Sequence, residues 1–144
     1  MQAFYGEVIA ISSQNVEALR DAYEWVRVHE TFPAHLATPD FIWDMSRFEG
    51  WPDRQVYKGV QGAEDFFADW GSVWDTWEPA VEAMHDVGDK VVAILRVRGR
   101  SKMSATPIEM PMAHVVTFRD GKQTRADNYS DPHEALKTVG LEGS

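Results

Sequence analysis

The stretch IEMPMAHVVTFRDGKQTRADNYSDP, residues 108–132, decides the fold of this chain. Asp120-Gly121 predicts a two-residue hairpin, because a type I′ turn needs positive φ at both central positions. Side chains alternate between the two faces of a strand. The strand before the turn therefore has one apolar row, made of Met110, Met112, His114, Val116 and Phe118. After the turn neither alternating set is apolar, and one set contains Gln123, Arg125, Asp127 and Tyr129. An apolar row beside a hydrogen-bonding row predicts a lined cavity rather than a dry core.

Composition narrows the class of protein. The 144 residues suit one domain over 1–144, with residues 1–12 as a short N-terminal extension. A net charge of −9 disfavours nucleic acid and anionic membrane surfaces as partners. No apolar run is long enough for a membrane span, and the start does not resemble a signal peptide, so we expect a cytoplasmic protein. The absence of cysteine excludes disulfides and thiol catalysis.

The sequence contains no recognisable motif for binding a metal or a cofactor. The five histidines fall on different predicted elements and form no HxH or HxxxH pair, so we expect no metal site. There is also no glycine-rich phosphate loop, so we expect no cofactor.

The remaining segments predict helices early and strands late. A helix is expected from Asn15 to about Glu30, a second short one over 33–37, and a strand at Phe41–Asp44. After a loop at 45–55 and a short strand, residues 63–74 carry a clear helical stripe. Strands follow at 77–87 and 90–101, then the hairpin, then a last helix whose capping box starts at Asp131. This order predicts an α+β fold with helices on one face of a curved antiparallel sheet.

Three helices are too few to cover both faces of such a sheet. The uncovered face must be solvated or paired with a second copy. A partly polar patch on one predicted strand suits a homodimer interface: Val92, Ile94, Arg96 and Arg98.

Several short segments, in this order, resemble the SnoaL-like branch of the nuclear transport factor 2-like superfamily. They are NVEALR (15–20), FIW (41–43), YKGVQG (57–62), GDKVV (88–92), EMPMAHV (109–115), FRDGK (118–122) and NYSD (128–131). The resemblance covers about residues 13–141 and implies a cone-shaped sheet, plugged by three to four helices around a pocket, in a protein that is usually a homodimer. Family members include polyketide cyclases, ketosteroid isomerases, dehydratases, epoxide hydrolases and non-enzymatic binding proteins, so the fold alone does not assign an activity. The chain departs from the family at loop 45–55 and at Gln123, where an aliphatic residue is common.

The resemblance suggests where the chemistry lies. The inward row of the last strand often carries the family's acid or base, which makes Asp127 the first candidate. Burial raises a carboxyl pKa towards useful values, although Arg125 opposes this and can instead form a structural pair with Asp127. His114 is a second candidate base, or else a satisfied core histidine. Tyr129 and Arg125 are candidates for stabilising an oxyanion; a buried structural tyrosine is the alternative for Tyr129.

Aromatic and apolar side chains are expected to form the substrate-binding walls. Phe41 and Trp43 share a face, so Trp43 should point inward and Asp44 outward or to the rim. The expected pocket lining also includes Tyr23, Phe66, Trp70 and Met112.

Three functional hypotheses follow. The leading one is a cofactor-independent cyclase or isomerase that uses acid/base chemistry on a polyketide- or steroid-like carbonyl compound, a small hydrophobic or aromatic ligand. The second is a hydrolase or dehydratase, such as an epoxide hydrolase, which needs a second pocket carboxylate beside a bound water. The third is a non-catalytic ligand-binding domain, which a closed pocket or an Asp127–Arg125 ion pair would favour.

Overall fold

The computed structural model describes residues 14–104 and 106–141, so the expected extension at 1–12 lies outside the described residues. The helices are α1 (Gln14–His29), a 3₁₀ turn (Ala34–Leu36), α2 (Gly59–Gly71) and α3 (Pro132–Thr138). The strands are β1 (Ala37–Arg47), β2 (Val56–Lys58), β3 (Trp74–Val87), β4 (Lys90–Ser101), β5 (Pro107–Arg119) and β6 (Lys122–Tyr129).

All six strands belong to one curved sheet that does not close into a barrel, in the order β2-β1-β6-β5-β4-β3. Neighbours are antiparallel except for β1 and β6, which run parallel. The predicted α+β class is confirmed. The parallel pairing of β1 with β6 was not predicted.

The β5–β6 hairpin has the predicted turn. Asp120 and Gly121 have φ values of 53° and 81°, as a type I′ turn requires. Beyond the turn the register shifts: Phe118 pairs with Gln123, but Thr117 pairs with Arg125. Thr124 is therefore an extra residue, a β-bulge, and it reverses the faces of everything after it on β6.

One face of the sheet is covered by α1 and α2. The buried side of α1 consists of Leu19, Ala22 and Val26, and α2 buries Ala63, Phe66, Phe67 and Trp70. Gly62 lets α2 approach the preceding strand closely, because a Cβ there would lie 2.9 Å from the carbonyl carbon of Tyr57. The main core lies between these helices and the sheet.

The opposite face is partly covered by α3. Asp131 caps this helix by accepting a hydrogen bond from the backbone N–H of His133, and Pro132 occupies the first turn. Beneath α3 lies a second apolar cluster: Val92, Ala113, Val115, Tyr129 and Ala135. Val92 is fully buried there, so its expected place in an intersubunit surface is wrong.

Candidate active site

A cavity lies between the concave side of the sheet and helices α1 and α2. It is lined by Leu19, Ala22, Tyr23, Val26, Phe32, Pro33, Trp43, Phe66, Phe67, Trp70, Trp77, Pro79, Leu95, Val97, Met112, His114, Val116, Gln123, Ala126 and Asn128. Among these described residues none is Asp, Glu, Lys or Arg. The volume is about 60 Å³, below the few hundred Å³ expected of a small-molecule site. The cavity is apolar, uncharged and partly open to the surface, so a ring-sized ligand enters only if the surrounding side chains move apart.

Aromatic rings form most of the wall on the β1 and α2 side. Trp43 stacks on Phe66 with 4.8 Å between ring centroids, and it presents an edge to Phe67 and to His114. Trp70 continues the wall by packing against Phe66 and Trp77. The expected lining residues Tyr23, Trp43, Phe66, Trp70 and Met112 all surround this one cavity.

Tyr23 and His114 form the polar centre of the cavity. The Tyr23 hydroxyl lies 2.8 Å from Nδ1 of His114, joining α1 to β5. Asn128 stands directly opposite His114 on β6. Its Nδ2 donates to the backbone oxygens of Asp44 and Ala126, at 3.1 and 3.4 Å, which turns Oδ1 towards other donors. Oδ1 makes no hydrogen bond within the described chain.

This centre is uncharged at neutral pH. Burial lowers the pKa of His114 to about 4, and the neighbouring Asn128 amide opposes this as a smaller effect. Burial likewise raises the pKa of the Tyr23 hydroxyl well above its usual value. In the tautomer of the neutral ring that carries its proton on Nε2, Nδ1 of His114 accepts a hydrogen bond from the Tyr23 hydroxyl.

The amino-acid sequence identifies the protein family. Residues 10–126 match the family model of the SnoaL-like domain. The chain is a member of the SnoaL-like family. No protein of curated function matches it.

Solved structures share the fold of this SnoaL-like domain at low identity. TerC, co-crystallized with polyporic acid, is 23% identical with a TM-score of 0.71, and the match covers 88% of this chain and 98% of TerC. A protein with a ketosteroid isomerase-like fold from Catenulispora acidiphila, in complex with trimethylamine, is 19% identical with a TM-score of 0.66, covering 88% and 92%. A protein from Jannaschia sp. CCS1, provisionally assigned as a SnoaL-like polyketide cyclase, is 20% identical with a TM-score of 0.69, covering 92% and 94%.

Asp127 and His114, the two candidate acid/base residues, lie on opposite faces of the sheet in this SnoaL-like domain, so the expectation that Asp127 faces inward is wrong. Asp127 pairs with Val115 on the opposite face of the sheet, whereas His114 faces the cavity. Nε of Arg125 donates to Asp127 at 2.9 Å, and its Nη2 donates to Asp44 at 2.6 Å. Arg125 therefore bridges two carboxylates outside the cavity. The bulge at Thr124 is the physical reason, because it turns Arg125 and Asp127 away.

Tyr129 is also outside the cavity. Its hydroxyl lies 3.3 Å from that of Thr138, and its ring belongs to the cluster beneath α3. A direct role of Tyr129 or Arg125 in stabilising an oxyanion is therefore not supported. Asp44 points away from the cavity and Trp43 towards it, as expected.

Two cavity residues of β6 and one contact were not predicted from the sequence. Asn128 and Ala126 were assigned to the other face by counting alternation from the hairpin turn. Tyr23 was expected only as lining, and no local pattern indicates that its hydroxyl reaches His114, which is 91 residues away along the chain.

The loop at 45–55 supports the wall from outside. The indole N–H of Trp51 donates to the Tyr57 hydroxyl, which donates to Asp69 on α2, at 3.2 Å each. The Trp51 ring packs on Phe66 and Trp70. This segment therefore holds in place the rings that close the cavity.

Two further observations concern the described ranges as a whole. No three His, Asp or Glu side chains there are grouped as metal ligands. Nor does any helix within these ranges combine the length and the apolar character needed to cross a membrane.

Proposed function

We propose that this SnoaL-like domain binds a small, uncharged, largely apolar or aromatic carbonyl compound and acts on it as a cofactor-independent cyclase or isomerase. The observation that carries the proposal is the Tyr23–His114 contact of 2.8 Å in a cavity lined without formal charges. The names of similar structures, which include a polyketide cyclase assignment and a complex with polyporic acid, support a polyketide-like aromatic carbonyl ligand.

The Tyr23–His114 pair offers a route for a proton. A carbon next to the ligand carbonyl gives its proton to the Tyr23 oxygen while the Tyr23 proton passes to Nδ1 of His114. The products are an enolate and an imidazolium, and the proton later returns to another ligand atom. The enolate charge raises the pKa of His114 during this step, because an opposite charge in an apolar site favours the protonated imidazole. The Asn128 amide, which also favours protonated His114, helps to hold the cation.

Non-catalytic binding is the second candidate. The Asp127–Arg125 ion pair outside the cavity favours it, as does the neutral state of His114, since an imidazole with a pKa near 4 is a weak base. A hydrolase or dehydratase with two pocket carboxylates is not favoured, because the described lining contains no carboxylate.

A ligand panel read by tryptophan fluorescence tests the proposal. Trp43, Trp70 and Trp77 line the cavity, so a bound aromatic ketone should change the emission in a saturable manner. The matched control is the same ring system with a carboxylate in place of the ketone. We expect it to bind at least ~10-fold more weakly, because no cation in the described lining compensates the buried charge. Saturable binding of the carboxylate alone would contradict the proposal.

We also propose a homodimer through the part of the outer sheet face that α3 leaves open. Ile94 is only partly buried there, and Arg96 and Arg98 both form ion pairs with Glu109. Sedimentation at micromolar concentration should give twice the chain mass of 16.3 kDa. Ile94→Lys should shift the species towards the monomer, since it introduces a charge into the contact. A wild-type monomer would end this proposal.

A further inference from the structure

The cavity contains a second polar position that the proton route does not use. Gln123 is 5% exposed and lines the cavity as the first inward residue of β6. Its backbone oxygen accepts a hydrogen bond from Thr38 Oγ1 at 3.3 Å. Its side-chain amide makes no hydrogen bond with any residue in the described part of the chain. The side chain of Gln123 is thus largely buried at the cavity wall, and its amide has no partner among the described residues.

Such an amide is unfavourable unless something else in the cavity binds it. A buried polar group without a hydrogen-bond partner lowers the stability of the fold, and an aliphatic side chain of similar volume would avoid that cost. The lining between Gln123 and the His114 centre is apolar, with Val116 and Ala126 in the intervening rows. Gln123 is therefore isolated from the other polar side chains of the site.

We propose that Gln123 is a specificity-determining residue that binds a second hydrogen-bonding group of the ligand, remote from the reacting carbonyl. This inference rests on the proposed function. His114 pairs with Asn128 and Phe118 pairs with Gln123, four residues further along β5, which corresponds to about 13 Å of strand. A ligand that contacts both ends has an apolar body of at least two rings, so the aromatic wall must move apart to admit it into a cavity of about 60 Å³. It carries a carbonyl at one end and a hydroxyl or carbonyl at the other.

The chemistry of the amide defines the second group. A carboxamide donates and accepts but carries no charge, so it binds a hydroxyl or a carbonyl equally well. A carboxylate or an ammonium group would remain uncompensated in this lining. The ligands that this site selects are therefore neutral at both ends.

Two probes that differ in one hydroxyl test the inference. The first is acetylnaphthalene, and the second is the same ketone with a hydroxyl on the distal ring. Wild-type protein should bind the hydroxylated probe ~10-fold more tightly, as expected for one buried hydrogen bond. Gln123→Leu should abolish this preference and bind the unsubstituted ketone at least as well as the wild type does. Gln61→Leu, a glutamine on the exposed side of α2, is the control and should leave both affinities unchanged.

A ligand-free measurement separates this role from a structural one. If the amide lacks a protein partner, Gln123→Leu should raise the Tm, whereas an amide needed for packing would give a lower Tm. A lower Tm, or equal affinity of the wild type for the two probes, would overturn the inference and leave the proposed function standing. If the wild type binds neither probe nor any neutral ketone of the panel, the proposed function fails and the inference fails with it.

Discussion

Tyr23→Phe should lower turnover by ~100-fold or more, the usual contribution of a positioned acid or base. The substitution keeps the ring that lines the cavity and removes only the hydroxyl that lies 2.8 Å from His114. His114→Gln should cause a similar loss. The double variant should be little worse than either single one, because the two side chains act as one proton-transfer unit. Initial rates on the carbonyl compound found in the panel, with Kd from fluorescence on the same samples, measure the effect.

Asp127→Asn is the matched control for this experiment. Asp127 lies on the opposite face, so turnover per folded molecule should stay within about twofold of the wild type. The Tm should fall slightly, because a partly exposed ion pair contributes about 0–1 kcal/mol and Asp44 still holds Arg125. An inactive Asp127→Asn together with an active Tyr23→Phe would reverse the assignment of the catalytic face.

Acid should destabilise the wild type more than His114→Gln, by up to about 3 kcal/mol at pH 4. The folded protein holds the imidazole neutral down to its pKa of about 4, while the unfolded chain takes up the proton near pH 6.5. The unfolded state therefore binds more protons between these values, so the free energy of unfolding decreases as the pH falls from 6.5 to 4. Above pH 6.5 the contribution of this group is constant.

Urea unfolding of both proteins at a series of pH values isolates the effect. Carboxylates elsewhere titrate in both proteins and largely cancel in the difference. The groups that face the imidazole are Tyr23 from α1, Asn128 from β6 and Trp43 from β1, and none of them ionises in this range. Parallel curves for the two proteins would show that His114 takes up its proton without a penalty, which contradicts its burial.

Local patterns were sufficient for much of the fold. The Asp120-Gly121 turn, the N-cap at Asp131 and the apolar stripe of α2 each involve residues close together in the chain, and each is present in the structure. The reciprocal Glu134 contact of a full capping box is not seen among the described hydrogen bonds. The same reasoning placed Trp43 and His114 on the inner face, because β1 near Trp43 and β5 are regular over those residues. These elements fix the α+β class.

Which β6 side chains line the site depends on one extra residue, Thr124, that no sequence pattern indicates. Alternation along β6 was counted from the turn, and a single extra residue at Thr124 inverts that count. The error placed Asp127 rather than Asn128 on the inner face, beside His114. Thr124 is neither glycine nor proline, the residue types that often mark a bulge. Its hydroxyl donates a hydrogen bond to the backbone oxygen of Thr117 at 3.3 Å.

The parallel contact between β1 and β6 has a consequence for the order of folding. It joins Ala37 to Gln123 and Asp44 to Asp127 across most of the chain length, so a long loop must close before the pairing stabilises anything. During synthesis the earlier strands and both long helices emerge from the ribosome before β6. Their apolar surface is therefore expected to stay exposed until β6 pairs with the sheet. Docking of β6 supplies both Asn128 to His114 and the bridge from Arg125 to Asp44. We therefore expect the proposed centre around His114 to be completed in the same late step that completes the sheet.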